Sequence, residues 1–295
     1  MNVSQIVTAG TNWVGVFSPE QFPENKGLYG REVAVDCNGL HIDGAKLDVA
    51  FTVPFDDSLG QDEAEITIYN LSKTSIAKLA YNQNIKIKAG YKGNTGTIYS
   101  GYVCKRTTSI DGADVKTVVR ALDSMKLKER EIKSIAYAAG STAKKILQDL
   151  IKLTGLPVAV FKPAGDQSFS KAVTVSGKLF DNINKYAEMC SSSAYVCKGR
   201  IYVRTLKDGD KTGVELSAEK GLVGSPEYFE EEVKKDKKVY YVKGYKLKCL
   251  LNNKITTGSI VKVKSKFCNG SFRVRSGKHI SNGAEFYTEL EVISQ

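Results

Sequence analysis

The sequence predicts a mainly β protein with an α+β middle: two similar small β-barrels, residues 30–134 and 217–295, flank a small α+β domain, residues 135–216. Three observations carry this expectation. Apolar and polar residues alternate through much of 31–121 and again through 247–279, the two-residue period of half-buried strands. Sustained apolar spacings of three and four, which mark the buried stripe of a long helix, are concentrated in 141–190. Finally, Ile85–Gly101 lies without gaps on Val261–Gly277. Apolar residues meet at 85/261, 87/263, 91/267 and 98/274, and Lys86, Lys88, Ser100 and Gly101 meet identical partners, as a duplicated barrel would require.

Residues 1–29 hold the single tryptophan, Trp13, with Val14, Val16, Phe17, Phe22, Pro19 and Pro23 in no regular period. They read as an extended arm whose aromatics dock on the chain's own barrel or on a neighbouring subunit. Strands begin at Gly30. Val33 and Val35 alternate through Arg31–Cys37, Asn38-Gly39 is a hairpin signal, and Leu40 and Ile42 start the return. After a polar loop at Asp56, Asp57 and Gly60, Glu65–Tyr69 puts Ile66 and Ile68 on one face. Ser72 is placed to cap a short helix carrying Ile76 and Leu79, because a serine hydroxyl accepts an otherwise unpaired amide of the first turn. Ile85–Lys88 is the next strand. Gly90, Gly93 and Gly96 then suit a turn, and Thr97–Val103, interrupted by Gly101, suits a strand that bends or bulges. Gly90, Tyr91, Gly93 and Gly101 are therefore the candidate turn and barrel positions. Ile110-Asp-Gly112 marks another hairpin, with Val115–Ala121 pairing back toward Tyr102.

The period changes near Ser134. Ser141 or Thr142 can cap a helix bearing Ala143, Ile146, Leu147, Leu150 and Ile151, ended by Gly155 and Pro157. A second helix, near Leu179–Cys190, buries Phe180, Ile183, Tyr186, Ala187 and Cys190 and stops at Ser191-Ser-Ser193. The hairpin Tyr195–Cys197 and Ile201–Val203 turns at Lys198-Gly199. Beyond Gly221–Pro226 and a charged stretch, short strands return at Leu247–Leu251, Gly258–Ser265 and Phe272–His279, with a turn at Asn252-Asn253.

A chain of 295 residues suggests two domains or three small ones. No apolar run approaches the ~20 residues of a membrane span, and the N-terminus lacks the basic start and apolar stretch of a secretory signal, which points to synthesis in a cytoplasm. The six cysteines, at 37, 104, 190, 197, 249 and 268, form no dense framework and are expected as free thiols. Cys190 and Cys197 stand seven apart, and only His41 and His279 could complete a site, so no metal is expected. Net charge is +11, with residues 1–135 balanced and the excess in the second half. That excess permits an acidic partner such as nucleic acid, but Glu230–Glu232 stand directly before the basic run Lys234–Lys238 and partly neutralise it.

Recognisable chemistry is sparse. The sequence has no Gly-x-Ser-x-Gly elbow, no His-Glu-x-x-His pair and no Walker loop, and Gly90-x-x-Gly93-x-x-Gly96 lacks the strand-to-helix setting of a dinucleotide site. No catalytic or cofactor-binding residue is expected. His279, in a β segment, reads as a structural hydrogen-bond partner. Asp56 and Asp57, a carboxylate pair in a loop, keep a glycan hydrolase open as an alternative. Lys262, Lys264 and Lys266 share one face of a strand, opposite Val261, Val263 and Ser265, and form a candidate partner or channel face. A solvated face, or an edge charged to block strand addition, is the plainer reading.

At two places the residues resemble a known family. Ile68-Tyr-Asn-Leu-Ser72, followed by Ala89-Gly-Tyr91, Gly93 and Ile98-Tyr-Ser-Gly101, is similar to the first barrel of the baseplate hub proteins of contractile phage tails and phage-tail-like bacteriocins. Leu250-Leu-Asn252, Ile255, Gly258-Ser259, Val261, Ser265, Gly270, Phe272, Val274 and His279 resemble the closing barrel of the same family. The order helix, extended link, helix and hairpin resembles its middle domain, so the likeness covers about 64–295. The resemblance implies tail-tube-like barrels and a structural, non-catalytic role. It implies a homotrimer whose six barrels imitate a hexamer and join a tail tube protein to a spike protein. Other baseplate proteins and the tape measure protein are further implied partners, nucleic acid is present only in transit, and assembly is into the baseplate of a virion tail or tail-like particle. Two readings compete with it: a tail-associated cell-wall hydrolase, and a basic nucleic-acid-binding module whose binding would depend steeply on salt.

Overall fold

The computed structural model describes residues 28–60, 62–123, 130–235 and 238–294, so all of the N-terminal arm but Leu28 and Tyr29 lies outside the described residues. The chain is mainly β, with its helices few and short. β1 (Arg31–Cys37) and β2 (Leu40–Asp43) form a hairpin turned at Asn38 and Gly39, both at positive φ, which is the conformation that two-residue hairpin turns require. β3 (Val49–Phe55) and β4 (Glu63–Tyr69) follow. α1 (Lys73–Lys78) is capped as expected, Ser72 Oγ accepting from the Ser75 amide at 3.1 Å. β5 (Asn84–Tyr91), β6 (Asn94–Asp111) and β7 (Asp114–Leu122) form a meander. β6 is longer than the alternation suggested, and it bulges at Cys104 rather than at Gly101. Gly101 makes room instead, since a Cβ there would come within 2.7 Å of the Leu122 carbonyl oxygen.

The middle contains β8 (Glu131–Tyr137), α2 (Ala143–Thr154), β9 (Val158–Phe161), β10 (Val173–Lys178), α3 (Leu179–Met189), β11 (Ser193–Cys197) and β12 (Arg200–Arg204). Thr142 caps α2, its Oγ1 accepting from the Lys145 amide at 3.2 Å, and Gly155 ends it in the left-handed conformation. All five apolar residues expected on the inner face of each helix are buried. The two helices pack on each other beside the β8–β10 pair and the β11-β12-β9 sheet.

β13 (Asp210–Leu216), β14 (Leu222–Lys235), β15 (Lys238–Leu250), β16 (Ser259–Lys264), β17 (Asn269–Asn282) and β18 (Glu285–Ser294) complete the chain. Residues 210–216, assigned to the middle domain by the sequence reading, pair parallel with β16, because Val214 and Leu216 belong to the C-terminal core. The stretch read only as charged is a long hairpin of β14 and β15, held by cross-strand pairs such as Lys243–Glu230 at 3.4 Å.

Three cores result. The N-terminal core centres on Val35, Ile66, Ile68, Ile85 and Ile87, the middle core on α2 and α3, and the C-terminal core on Leu247, Val261, Val263, Val274 and Leu290. The exceptions mark where the units meet: Leu251 and Phe286 join the first core, Phe55 joins the third, and Leu59 of the β3–β4 loop joins the middle one. Truncating a buried leucine removes transfer energy and leaves a cavity, so Leu59→Ala should cost about 2–4 kcal/mol of unfolding free energy in urea titration. A cost near zero would mean that the loop does not anchor the middle unit.

Candidate functional site

The N- and C-terminal sheets are one sheet of 13 strands, joined where β3 pairs antiparallel with the distal half of β17. Phe55 sits opposite Gly277, and a Cβ on Gly277 would come within 2.7 Å of the Phe55 ring, so this pair requires glycine. The same ring lies 5.0 Å from that of His279. His279 is fully buried, its Nδ1 2.9 Å from Thr288 Oγ1, which is the structural hydrogen bond expected of it. Burial first, and the Lys198 charge second, push its imidazole down to about 3, so the ring is neutral at pH 7.

The loop between β3 and β4 closes the joint. Arg273, 1% exposed, donates from Nη1 to Asp57 Oδ2 at 2.8 Å and from Nε to the Asp208 carbonyl at 3.0 Å, tying β17 to this loop and to the β12–β13 connection. Arg204, 2% exposed, makes a forked pair with Asp210 at 3.0 and 2.9 Å, hydrogen-bonds the Tyr195 hydroxyl, and lies 5.3 Å over the Tyr202 ring. Gly258, at φ +77, lets the backbone pass beside that arginine, because a Cβ would strike its guanidinium.

These contacts correct the reading of Asp56 and Asp57 as a hydrolytic pair. Hydrolysis of a glycoside needs two carboxyl groups facing one substrate. Here Asp57 is neutralised by buried Arg273, while Asp56 Oδ1 accepts the Ser58 amide of its own loop at 2.8 Å. The perturbed carboxyl of this loop is Asp62, which no sequence pattern singles out. Burial, and then the charge of Asp56, raise it to about 7, while its Oδ2 accepts the Asp56 amide at 3.3 Å. A groove of about 730 Å³ beside it is lined by Pro54, Phe55, Asp62, Ser276, Lys278 and Glu289. Among the described residues no three His, Cys, Asp or Glu side chains stand close enough to hold a metal.

Gly90, Tyr91, Gly93 and Gly101 all belong to the β5–β6 hairpin. Gly93 makes the turn at φ +80, Tyr91 is buried edge-on against Phe286 at 5.3 Å, and a Cβ on Gly90 would strike the backbone of Asn94. Lys262 and Lys264 are exposed on one face of β16, whereas Lys266 falls in the bend after the strand has ended. Glu215 of β13 lies between the first two, 3.9 Å from Lys262 and 3.1 Å from Lys264. Hydrogen bonds from Lys220 and Lys264 hold the Glu215 carboxyl at about 2, so this face is less positive than three lysines suggest.

The two sheets repeat each other. The N-terminal order is β1-β5-β6-β7-β4-β3, and the C-terminal order is β13-β16-β17-β18-β15-β14, with strands taken in the same sequence. The turns Asp111-Gly-Ala-Asp114 and Asn282-Gly-Ala-Glu285 close equivalent hairpins. Each hairpin carries a bulge at the same place, Cys104 and Arg275, and a buried threonine at the same place, Thr117 and Thr288, opposite Thr108 and His279. Even an exposed ion pair recurs with its signs exchanged, Glu65–Arg120 and Lys246–Glu291. The gapless match of the sequence holds for β5 and β16 and then slips. Ile85 pairs with Gly101 but Val261 pairs with Phe272, so Gly101 corresponds to Phe272 and not to Gly277. The Tyr91/Phe267 match fails with it, one ring being buried and the other 63% exposed.

Residues 63–292 match the family described as Baseplate hub gp41. No curated protein sequence matches the chain. Among solved structures, the 43 kDa tail protein of prophage MuSo2 from Shewanella oneidensis shares the fold at TM-score 0.66 and 11% identity, over 89% of this chain and 96% of that one. A tail protein from Neisseria meningitidis MC58 aligns at TM-score 0.64 and 10% identity, over 90% and 97%. The E. coli c3393 protein, a type VI secretion component with structural similarity to the T4 tail proteins gp27 and gp5, aligns at 0.60 and 11%, over 88% and 76%.

Asp62 gives the joint a pH signature. A carboxyl protonated in the fold up to about pH 7, but ionised in the unfolded chain above about 3.8, makes the fold lose stability as pH rises across that window. His279 acts with the opposite sign, since unfolding releases it to bind a proton below its ordinary value of 6.5, so its contribution falls as pH falls from 6.5 toward 3. The variant Asp62→Asn has no carboxyl at this position to titrate. Its stability relative to wild type should rise by about 2 kcal/mol between pH 5 and pH 7.5 in denaturant titrations. A difference independent of pH would show that Asp62 titrates normally.

Proposed function

This chain belongs to the baseplate hub gp41 family, and from that premise we propose that three copies form a ring that adapts a six-fold tail tube to a three-fold spike. As a baseplate hub it is a structural component of a phage tail and not an enzyme. A ring closes without gaps only if it presents matching surfaces to each neighbour. Two equivalent β units per chain give three copies six tube-like faces, while the α+β unit, present once per chain, keeps three-fold order. The single observation that supports this reading most is the shared strand order, with its turn, bulge and buried threonine repeated in both sheets.

In this proposal the chain divides into an arm (1–29), two barrels (30–134 and 217–295) and a middle domain (135–216) that lends β13 to the second barrel. The tube protein meets the barrels, the spike protein meets the opposite side, and other baseplate proteins and the tape measure protein are the remaining contacts. The chain is made in the host cytoplasm and assembled in the tail. Lys262 and Lys264, with Lys266 just beyond the strand, supply a partner face or part of the channel wall.

Replacing Lys262, Lys264 and Lys266 by glutamate tests that face. Exposed charge changes usually move stability by no more than about 0.5 kcal/mol, so the thermal melt should stay close to wild type while incorporation into tube–hub–spike complexes, read by co-sedimentation, falls severalfold. Normal incorporation would make the lysines a solvated face. Loss of folding would contradict their exposed placement.

A further inference from the structure

Between the first sheet and the middle unit lies a cleft of about 570 Å³, away from the β3–β17 joint. Its volume falls in the range of small-molecule sites, about 300–1,000 Å³. One wall is the outer face of β5 and β6, where Lys86 and Ser100 stand directly opposite each other and leave the sheet on the same side. The other wall is the β11–β12 hairpin, whose turn at Lys198-Gly199, φ 50 and 71, brings Lys198 and Arg200 over that face. The turn comes down close to the sheet, since a Cβ on Gly199 would lie 3.9 Å from the Ser100 carbonyl oxygen. Gly155–Pro157, at the end of α2, closes a third side without a charged side chain.

Three cations from two units thus share one cleft. Among the described residues, no carboxylate lies within ion-pair distance of Lys86, Lys198 or Arg200. The one carboxylate in the described lining is Asp123, 4% exposed, directly after β7, so the lining carries a surplus of two positive charges. Lys198 is the most confined of the three. It is half-buried, and its amine donates to the Asn253 carbonyl at 3.3 Å. Burial pulls that amine below the ordinary lysine value, and its charge is the second cause that keeps His279 neutral. A partly desolvated charge without a counterion is costly, and like charges facing it across a gap add to the cost.

We propose that this cleft is a phosphate site, taking free phosphate or the terminal phosphate of a small monoester, and that the bound group clasps the β11–β12 hairpin to the first sheet. Charge selects the ligand class. A phosphate monoester carries about −1.5 to −2 at pH 7, which balances the surplus of the lining, whereas a phosphodiester brings only one negative charge. The donors fit as well. Arginine offers a planar fork to two phosphate oxygens, and lysine binds phosphate as a point charge. Hydroxyls of Thr97, Ser100 and Tyr202 stand on the same walls, and the Tyr202 ring is held in place by stacking on Tyr195 at 5.0 Å. Because every group comes from one chain, the site does not depend on the ring.

The test uses the full chain with inorganic phosphate, read by isothermal titration and by phosphorus NMR at an ionic strength held constant with sodium chloride. Wild type should bind a single phosphate per chain, and millimolar phosphate should raise Tm above its value in matching chloride. Lys86 and Arg200 are exposed, so Lys86→Gln and Arg200→Gln should leave the circular dichroism spectrum unchanged. Each should weaken phosphate binding about tenfold, the size expected for a lost hydrogen bond between charged groups. Lys92→Gln, at an exposed lysine outside the cleft, should bind as wild type does. A single-stranded oligonucleotide without terminal phosphates should bind wild type no better than it binds the Lys86→Gln, Arg200→Gln double variant. Absence of binding at millimolar phosphate, or binding unchanged in both single variants, overturns the site. Oligonucleotide binding that the double variant abolishes overturns the assignment to a monoester and makes the cleft a phosphodiester contact.

Discussion

Five residues of β3, Phe51–Phe55, pair with β17 and turn two separate sheets into one. The short loop after that pairing reaches the remaining unit. The loop sends Asp57 to Arg273, Asp62 into the groove and Leu59 into the middle core, so residues 51–62 touch all three units. Arg273 and Arg204 show why the joint is hard to vary. A buried guanidinium is tolerable only when paired, and removing one partner leaves a charge whose desolvation is uncompensated, typically about 3–5 kcal/mol. Asp57 on the β3–β4 loop and the Asp208 carbonyl on the β12–β13 connection satisfy Arg273, and Asp210 at the start of β13 with the Tyr195 hydroxyl satisfies Arg204.

Duplication with divergence accounts for most of the rest. Both sheets keep the meander, its bulge and its buried threonine, and they differ where they meet different neighbours. β1 runs antiparallel to β5 but β13 runs parallel to β16, because β13 arrives from the middle unit. Between β4 and β5 the chain builds α1, whereas between β15 and β16 it makes the connection that accommodates Arg204 at Gly258. The result is one sheet carrying two similar halves with one unlike domain attached.

Much of this was legible in the sequence where local chemistry and long-range burial agree. α2 and α3 follow from apolar spacing with a threonine cap and a left-handed glycine, and the Asn38-Gly39 and Lys198-Gly199 turns from residues that tolerate positive φ. The β14–β15 hairpin was hidden because charged residues dominate the sequence of β14, and in β15 a clean two-residue apolar period is confined to Tyr245, Leu247 and Cys249. The repeat was visible at Ile85–Lys88 and Val261–Lys264, but the shared Ser-Gly pairs at 100–101 and 276–277 anchored the second half in the wrong register. The turns Asp111-Gly-Ala-Asp114 and Asn282-Gly-Ala-Glu285 are the signal that would have set it correctly. Asp62 carries no such signal, since its raised pKa comes from burial by segments distant in the chain.

In the proposed ring, two equivalent sheets in each chain let three chains stand in for six. A cryo-EM reconstruction of the assembled tail end tests it most directly. The expected result is three copies of this chain at the junction, six β lobes spaced evenly around the channel, and three α+β lobes at every second position. Six copies, or β lobes that do not alternate around a single ring, would contradict it.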